Sequence, residues 1–180
     1  PDGNFLSFTP RGEEHEYDIA HHSNKFYIMT NYKAKNNRLM ETPDNATDIT
    51  NWKEVIPHDE KIHLLDMEIF DNHLVLNHRK DGLRGIRIIN QINKKDDILD
   101  FGENTYAAFF STNKEFNTDI LRYSYSSLVT PWSTYDYNMN TGELTLLKQD
   151  KILGEYNQDN YFSERIYADS RDGVKIPISI

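Results

Sequence analysis

The feature that most constrains this chain is a set of four short strand-like segments that recurs three times along it. Runs rich in Tyr, Phe, Ile and Thr, bounded by Asn, Asp, Gly and Pro, are typical of antiparallel strands joined by turns. The set repeats roughly every 45 to 48 residues. The three copies occupy about 15–57, 62–101 and 106–149.

Each copy is predicted to hold an opening, a second, a third and a closing strand. The opening strands are predicted at 16–20, 62–70 and 106–110. The second strands are predicted at 25–30, 73–77 and 120–125, and the third around 39–40, 86–88 and 135–137. The closing strands are predicted at 52–56, 97–101 and 144–148.

A four-stranded repeat of this length is typical of a β-propeller blade. One twisted sheet cannot cover both of its own faces, so blades stack side by side around an axis. The sequence therefore predicts an all-β fold: an incomplete β-propeller of about three four-stranded antiparallel blades, plus a C-terminal strand segment. A sandwich of two packed sheets with evenly spaced strands is the alternative.

Three blades are fewer than a closed propeller needs, since propellers close with about four to eight. Residues 4–8 are interpreted as the last strand of a preceding blade, and residues 173–180 stop within an apolar strand. An unprotected hydrophobic strand edge promotes aggregation. We therefore expect the chain to be a truncated excerpt of a larger protein.

Charge and residue usage exclude several classes of function. With 20 Lys and Arg against 29 Asp and Glu, the net charge is −9, which argues against a nucleic-acid or anionic-membrane partner. The sequence contains no run of 18 apolar residues, so no membrane-spanning helix is predicted. The absence of cysteine excludes a disulfide framework, a cysteine zinc site and a thiol nucleophile.

No metal or cofactor is expected, although seven histidines invite the question. The candidate ligands are His15 with the pair His21 and His22, and His73 with His78. Adjacent residues of a strand point to opposite faces, so His21 and His22 cannot share a site there. No spacing typical of a zinc motif accompanies these histidines.

No catalytic residue is assigned in this chain. A Gly-x-Ser-x-Gly elbow, which lifts the nucleophile of an α/β-hydrolase clear of its sheet, surrounds none of the serines. Ser124, Ser126 and Ser127 are interpreted as strand or loop residues. The acidic stretches at 13–14, 44–48, 96–97 and 169–173 are interpreted as solvated turns.

Three polar-aromatic clusters lie near predicted strand ends, at 10–11, 15–17 and 123–127. In a propeller such ends line the channel or face a docked domain. A hydrogen-bond network within one blade explains each cluster at least as well. The residues that contact substrate stay unknown from the sequence.

The stretch LRYSYSSLVTP at 121–131 resembles the last propeller blade of the oligopeptidase B group in the prolyl oligopeptidase family of serine peptidases. The resemblance continues through YDYNMNTGE at 135–143, LLKQ at 146–149, SERIYA at 163–168 and RDGVKIPIS at 171–179. Upstream, the segments 10–11, 15–17, 26–28 and 52–57 match in the same order.

This resemblance implies that residues 1–158 are part of a seven-bladed propeller and that 159–180 begin a catalytic α/β-hydrolase domain. The catalytic triad is then expected beyond Ile180, and this segment alone is expected to be inactive. The implied partners are the protein's own catalytic domain and short basic peptides, which the parent cleaves after Arg or Lys beneath a propeller cap. No leader-like N-terminus is present, and the family is mostly intracellular, so the cytoplasm is expected.

Two other interpretations stay open. The chain could be a freestanding propeller-type module for protein interaction, with no enzyme attached. It could also belong to a propeller that closes by self-association of incomplete chains. The tail at 163–180 favours the peptidase, because an independent binding module has no reason to carry it.

Overall fold

The structure is a computed structural model that describes residues 7–10, 12 and 14–180. Most of the strand expected at 4–8 lies outside the described residues, as do Arg11 and Glu13. The chain divides into two compact units, Pro1–Asp66 and Met67–Ile180, which are described here one after the other.

The first unit contains blade A, a four-stranded antiparallel sheet with its strands in chain order. The strands are β1 (Tyr17–His22), β2 (Lys25–Thr30), β3 (Arg38–Pro43) and β4 (Lys53–Ile56), with a 3₁₀ turn at Ile49–Asn51 before the last. Ile28, Met40 and Trp52 form a buried cluster on this sheet. Strand β5 (Ile62–Ile69) begins in this unit and ends in the next.

The second unit contains two further blades and a hairpin. Blade B consists of β5, β6 (His73–Lys80), β7 (Leu83–Asn90) and β8 (Asp96–Ile98). Blade C consists of β9 (Tyr106–Phe110), β10 (Ile120–Ser127), β11 (Ser133–Asn138) and β12 (Leu144–Gln149). A 3₁₀ turn at Gln158–Asn160 precedes the antiparallel hairpin of β13 (Arg165–Asp169) and β14 (Lys175–Ser179).

The predicted fold class is confirmed: the sheets are antiparallel, they do not close, and the architecture is that of a partial β-propeller. Several strand ends differ from the prediction, among them those of β6 and β8. Strand β6 continues to Lys80, three residues beyond its predicted end. The prediction is short because the second half of the strand, Asn-His-Arg-Lys, is polar and lacks the apolar pattern of a strand. Strand β8 ends at Ile98, three residues before its predicted end, although the Leu99 amide still donates to the Ile86 carbonyl at 2.9 Å.

The main core of the second unit lies between the facing surfaces of blades B and C. Alternate residues of β10 point to one face, and Leu121, Tyr123 and Tyr125 are all buried there. They share one apolar cluster with Val75 of β6 and Ile88 of β7, among other residues. The repeat predicts that neighbouring sheets bury each other's apolar faces, and blades B and C do so.

Blades B and C build their third turn with the same residue at the same position. Asn90 ends β7, and its side-chain oxygen accepts hydrogen bonds from the amides of Ile92 and Asn93 at 2.9 and 3.1 Å. Asn138 ends β11, and its side-chain oxygen accepts in the same way from Asn140 and Thr141. These Asx turns fix the reversal into the closing strand, which explains the Asn at both repeat positions.

A buried asparagine ties blade B to blade C. Asn77 of β6 is 1% exposed, and its side-chain amide donates to the carbonyls of Gly85 and Ala108 at 3.1 and 2.9 Å. Its side-chain oxygen accepts from Arg84 Nε at 3.0 Å. Strands β7 and β9 pair at one position, Arg84 with Ala107, so Asn77 supplements the sparse backbone contact between the blades.

Replacing this residue, Asn77→Ala, should lower the free energy of unfolding by about 2–4 kcal/mol, because two buried carbonyls lose their donor. Urea unfolding of the wild type and the variant measures the difference. Asn113→Ala is the matched control: Asn113 also makes three hydrogen bonds, to Ser111 and Arg122, in a surface loop. Water can replace them there, so its loss should be about 1 kcal/mol. Equal losses for the two variants would contradict the role assigned to Asn77.

Candidate functional site

The sequence-predicted cluster at 123–127 lies near one end of blade C, which we call the crossing end. The crossing end comprises residues 103–106 at the start of β9, the β10–β11 turn with its flanking residues (127–133), and the neighbouring β6–β7 turn with the strand residues on either side of it (79–84). After β12 the chain runs back over this end through residues 150–164, which we call the crossing segment. It then enters β13.

Glu103 is the centre of a polar network at this end. Its Oε1 accepts hydrogen bonds from the Tyr125 hydroxyl at 2.8 Å and from the Thr130 hydroxyl at 2.7 Å. Gln158 Nε2 of the crossing segment donates to the same Thr130 oxygen at 3.1 Å. A carboxylate, two hydroxyls and an amide therefore join blade C to the segment that follows it.

Burial raises the pKa of two tyrosines in β10. Removal from water raises the pKa of Tyr125, and its hydrogen bond to the Glu103 carboxylate raises it further. Burial also raises the pKa of Tyr123, whose ring stacks on Tyr135 at 5.6 Å. Both phenols therefore stay neutral at physiological pH, and Tyr125 acts as a hydrogen-bond donor.

A cleft of about 640 Å³ opens at the crossing end between the β6–β7 turn and β13. Its lining includes His78, Glu103, Tyr106, Arg165 and Tyr167. His78 is 5% exposed, and burial, followed by the charges of nearby arginine and lysine, lowers its pKa. Among the described residues, His78 Nδ1, Glu103 Oε2 and Arg165 Nε are buried atoms without a hydrogen-bond partner. The cleft thus combines acidic, basic and aromatic groups.

The cluster at 15–17 forms a network within blade A. His15 Nε2 lies 3.0 Å from the Thr30 hydroxyl oxygen, and that hydroxyl donates to the Glu16 carbonyl at 3.0 Å. The Asn31 side chain accepts from the Glu16 amide at 2.9 Å and donates to the Glu14 carbonyl at 2.7 Å. Local hydrogen bonding therefore accounts for these polar residues.

The serines of the 123–127 cluster have structural partners. The hydroxyls of Ser124, in β10, and Ser111, directly after β9, lie 2.7 Å apart. Ser127 Oγ accepts from the amides of Val129 and Thr130 at 3.1 and 2.8 Å, which shapes the turn after β10. Both serines thus stabilise the sheet and its turn.

The candidate histidines are dispersed. His73 and His78 are five positions apart on β6, so their side chains lie on opposite faces about 16 Å apart along the strand. His73 Nδ1 lies 3.7 Å from Asp119, and His21 lies 3.7 Å from Asp44. Within the described residues, no group of three His, Asp or Glu side chains is placed to hold a metal ion.

The acidic stretches form caps, turns and ion pairs. Asp48 accepts from the Thr50 amide at 2.9 Å, and hydrogen bonds from Thr50 lower its pKa. Asp96 accepts two hydrogen bonds from Arg87, at 2.8 and 2.6 Å, which lower its pKa. Asp172 accepts from Ser170 Oγ at 2.5 Å within the β13–β14 turn.

Sequence reasoning missed the residues that centre the site, namely Glu103, Thr130, Gln158 and His78 in its role at the cleft. The first three lie in loops of ordinary polar composition, and although Thr130 falls within the stretch 121–131, nothing in the sequence marks any of them as a site residue. The sequence signal that pointed to this end was the Tyr-rich strand at 123–127.

Comparison with known proteins extends this description. The family model described as prolyl oligopeptidase, N-terminal beta-propeller domain, matches residues 1–150. Dipeptidyl aminopeptidase BI of Pseudoxanthomonas mexicana is 34% identical over 180 residues, covering 99% of this chain and 25% of that protein. Protease 2 of Moraxella lacunata is 28% identical over 163 residues, covering 91% of this chain and 23% of that protein.

Solved structures give the same picture. Oligopeptidase B from Trypanosoma brucei, with covalently bound antipain in its closed form, superposes with a TM-score of 0.83 at 30% identity. The superposition covers 94% of this chain and 25% of that one. The described residues include no helix long and apolar enough to cross a membrane. The chain spans about a quarter of the length of the relatives it matches, and it belongs to the prolyl oligopeptidase N-terminal β-propeller family.

Proposed function

We propose that this chain is the substrate-gating propeller part of a serine oligopeptidase that hydrolyses short peptides after Arg or Lys. The observation that carries the proposal is the family match over residues 1–150, together with the superposition on oligopeptidase B. In this proposal residues 1–158 are propeller and 159–180 begin the catalytic α/β-hydrolase domain. The hairpin β13–β14 supports that division, because it forms a two-stranded sheet separate from the blades.

The Ser, His and Asp of the reaction are then supplied outside this chain, by the domain that the hairpin begins. The propeller contributes a cap whose narrow access admits short peptides and excludes folded proteins. The 180-residue chain is also acidic, with a net charge of −9, so it attracts cationic peptides and raises their rate of association. The compartment that fits this family is the cytoplasm, a part of the proposal that rests on the resemblance alone.

A second candidate activity comes from the relative at 34% identity, dipeptidyl aminopeptidase BI. Such an enzyme removes two residues from a free amino terminus, whereas an oligopeptidase also cleaves peptides with a blocked terminus. The two candidates share the propeller and differ in what they require of the substrate. A freestanding interaction module would hydrolyse neither kind of peptide.

The full-length protein should hydrolyse a fluorogenic peptide that has a blocked amino terminus and Arg before the scissile bond. The control peptide carries citrulline, which has nearly the shape of arginine but no charge, and its kcat/KM should be at least about 100-fold lower because an ion pair is lost. Hydrolysis confined to peptides with a free amino group would favour the dipeptidyl activity. Equal rates for the Arg and citrulline peptides would contradict specificity for basic residues.

The 180-residue chain by itself should hydrolyse none of these peptides. It should also stay unmodified by a serine-directed phosphonate, because the proposal places the activated serine in another part of the protein. Intact-protein mass spectrometry measures the labelling, with full-length protein as the positive control. A phosphonate adduct on the 180-residue chain would show that the active site has been misplaced.

Electrostatic attraction by the acidic propeller predicts a dependence on ionic strength. For the full-length enzyme, kcat/KM for the Arg peptide should fall severalfold between 0.01 and 1 M salt, as the screening length shrinks from about 30 Å to 3 Å. The citrulline peptide should change much less. A kcat/KM for the Arg peptide that is indifferent to salt would exclude attraction by this surface.

A further inference from the structure

The crossing segment is fastened to blade C by two side chains. The Tyr156 hydroxyl donates to the Val129 carbonyl, and Gln158 Nε2 donates to the Thr130 hydroxyl oxygen at 3.1 Å. The Tyr156 ring also stacks on Tyr161, with centroids 5.4 Å apart and planes inclined by 18°. Both hydrogen bonds end on one turn of blade C, the β10–β11 turn.

Glu103 determines how Thr130 can bind the crossing segment. The Thr130 hydroxyl donates its single proton to Glu103 Oε1, 2.7 Å away. The lone pairs of the Thr130 oxygen are then left for Gln158. Tyr125, which donates to the same Oε1 at 2.8 Å, holds the carboxylate against β10.

The segment between these contacts has its own short-range order. The Asn157 side chain accepts from the Asp159 amide at 3.0 Å and begins the 3₁₀ turn at Gln158–Asn160. The Tyr161 amide closes this turn by donating to the Gln158 carbonyl at 3.0 Å. Residues 156–161 therefore form one ordered piece, and the Tyr161 amide reports on it.

Two connections flank this ordered piece, one on each side. On its N-terminal side, Leu153 is 95% exposed and Gly154 has a φ of +97°, but that loop begins at Asp150, whose amide donates to Trp132 of blade C. Both of its ends are thus bound to the same blade. A change in this loop cannot move the hairpin while 156–161 stay in place.

On its C-terminal side, two residues separate the ordered piece from the hairpin. Glu164 is already paired with Ile180, through hydrogen bonds of 2.8 and 3.0 Å in the two directions. Phe162, which is 81% exposed, and Ser163 lie between, and neither makes a hydrogen bond in the described part of the chain. The connection between the ordered piece and the hairpin therefore has no hydrogen bond of its own among the described residues.

We propose that Glu103 is a positioning residue: with Thr130, Tyr156 and Gln158 it forms a clamp that fixes the crossing segment to blade C and places the hinge at Phe162–Ser163. The clamp itself follows from the geometry above. The role of Phe162–Ser163 as a hinge between propeller and catalytic domain rests on the proposed function, which assigns the hairpin to that domain. In the working enzyme, the clamp makes blade C and residues 156–161 turn as one body.

Amide hydrogen exchange on the full-length protein tests the clamp without reference to activity. Gln158→Ala combined with Tyr156→Phe should speed exchange at Tyr161 about tenfold or more, because both side-chain bonds to blade C are lost. The control is Gln149→Ala, which removes a bond of the same kind, from Gln149 Nε2 to the Ser133 hydroxyl at 3.0 Å, within blade C. The control should leave exchange at Tyr161 within about twofold of wild type.

Glu103 is tested by removal and by conservative rescue. Glu103→Ala should speed exchange at Tyr161 about fivefold or more, since Thr130 loses the acceptor that orients it. Glu103→Gln keeps an oxygen that can accept from Tyr125 and Thr130, so it should restore most of the protection. The Leu121 amide, at the start of β10 and fully buried, should exchange at the wild-type rate in both variants. A merely structural role would raise exchange at both places, and that result would overturn the proposal.

The two hypotheses fail separately. Unchanged exchange at Tyr161 in the double variant overturns the clamp, whatever the peptidase activity. Faster exchange in a protein that hydrolyses no peptide supports the clamp and rejects the proposed function. If both hold, Glu103→Ala should change kcat/KM for the peptide at least threefold, and Glu103→Gln should reverse the change; equal kcat/KM for the two variants would refute the hinge.

Discussion

A four-stranded sheet has two faces and can bury neither by itself, and the rest of this structure depends on that constraint. In the second unit it is met by stacking: Leu121, Tyr123 and Tyr125 of blade C pack against Val75 and Ile88 of blade B. The backbone contributes little to this junction, because β7 and β9 pair at one position. The hydrogen bonds of Asn77 and the apolar cluster therefore hold the blades together, and the strand ends are left available for function.

The sequence predicted the repeat because the repeat is a local property. The alternation of Leu121, Tyr123 and Tyr125 identifies β10, and the Asn residues that end β7 and β11 mark equivalent turns. Strand β6 continues past its predicted end at Asn77, because the polar residues His78, Arg79 and Lys80 do not follow the apolar pattern of a strand. Asn77, inside the predicted strand, binds the Ala108 carbonyl of blade C. A pattern of apolar residues cannot show a polar side chain that is buried and hydrogen-bonded across a blade boundary.

The site was less predictable than the fold, for a physical reason. Glu103, Thr130 and Gln158 lie 27 and 28 residues apart in sequence and meet through single hydrogen bonds. Each hydrogen bond forms only because the fold brings two distant loops together, and no spacing of residues along the sequence predicts that contact. The polar-aromatic strand pointed to this end of blade C, but the acceptor that organises its tyrosine could be found only in three dimensions.

The fold, the family and the crossing segment support one account, in which a stack of blades caps a catalytic domain that begins at the hairpin. The most direct test is a crystal structure of the full-length protein. The account predicts that blades A, B and C are successive members of one propeller ring, and that β13 and β14 continue into an α/β-hydrolase domain whose nucleophilic serine faces the crossing end. Sheets that close on each other as a sandwich, or a hairpin followed by no such domain, would contradict it.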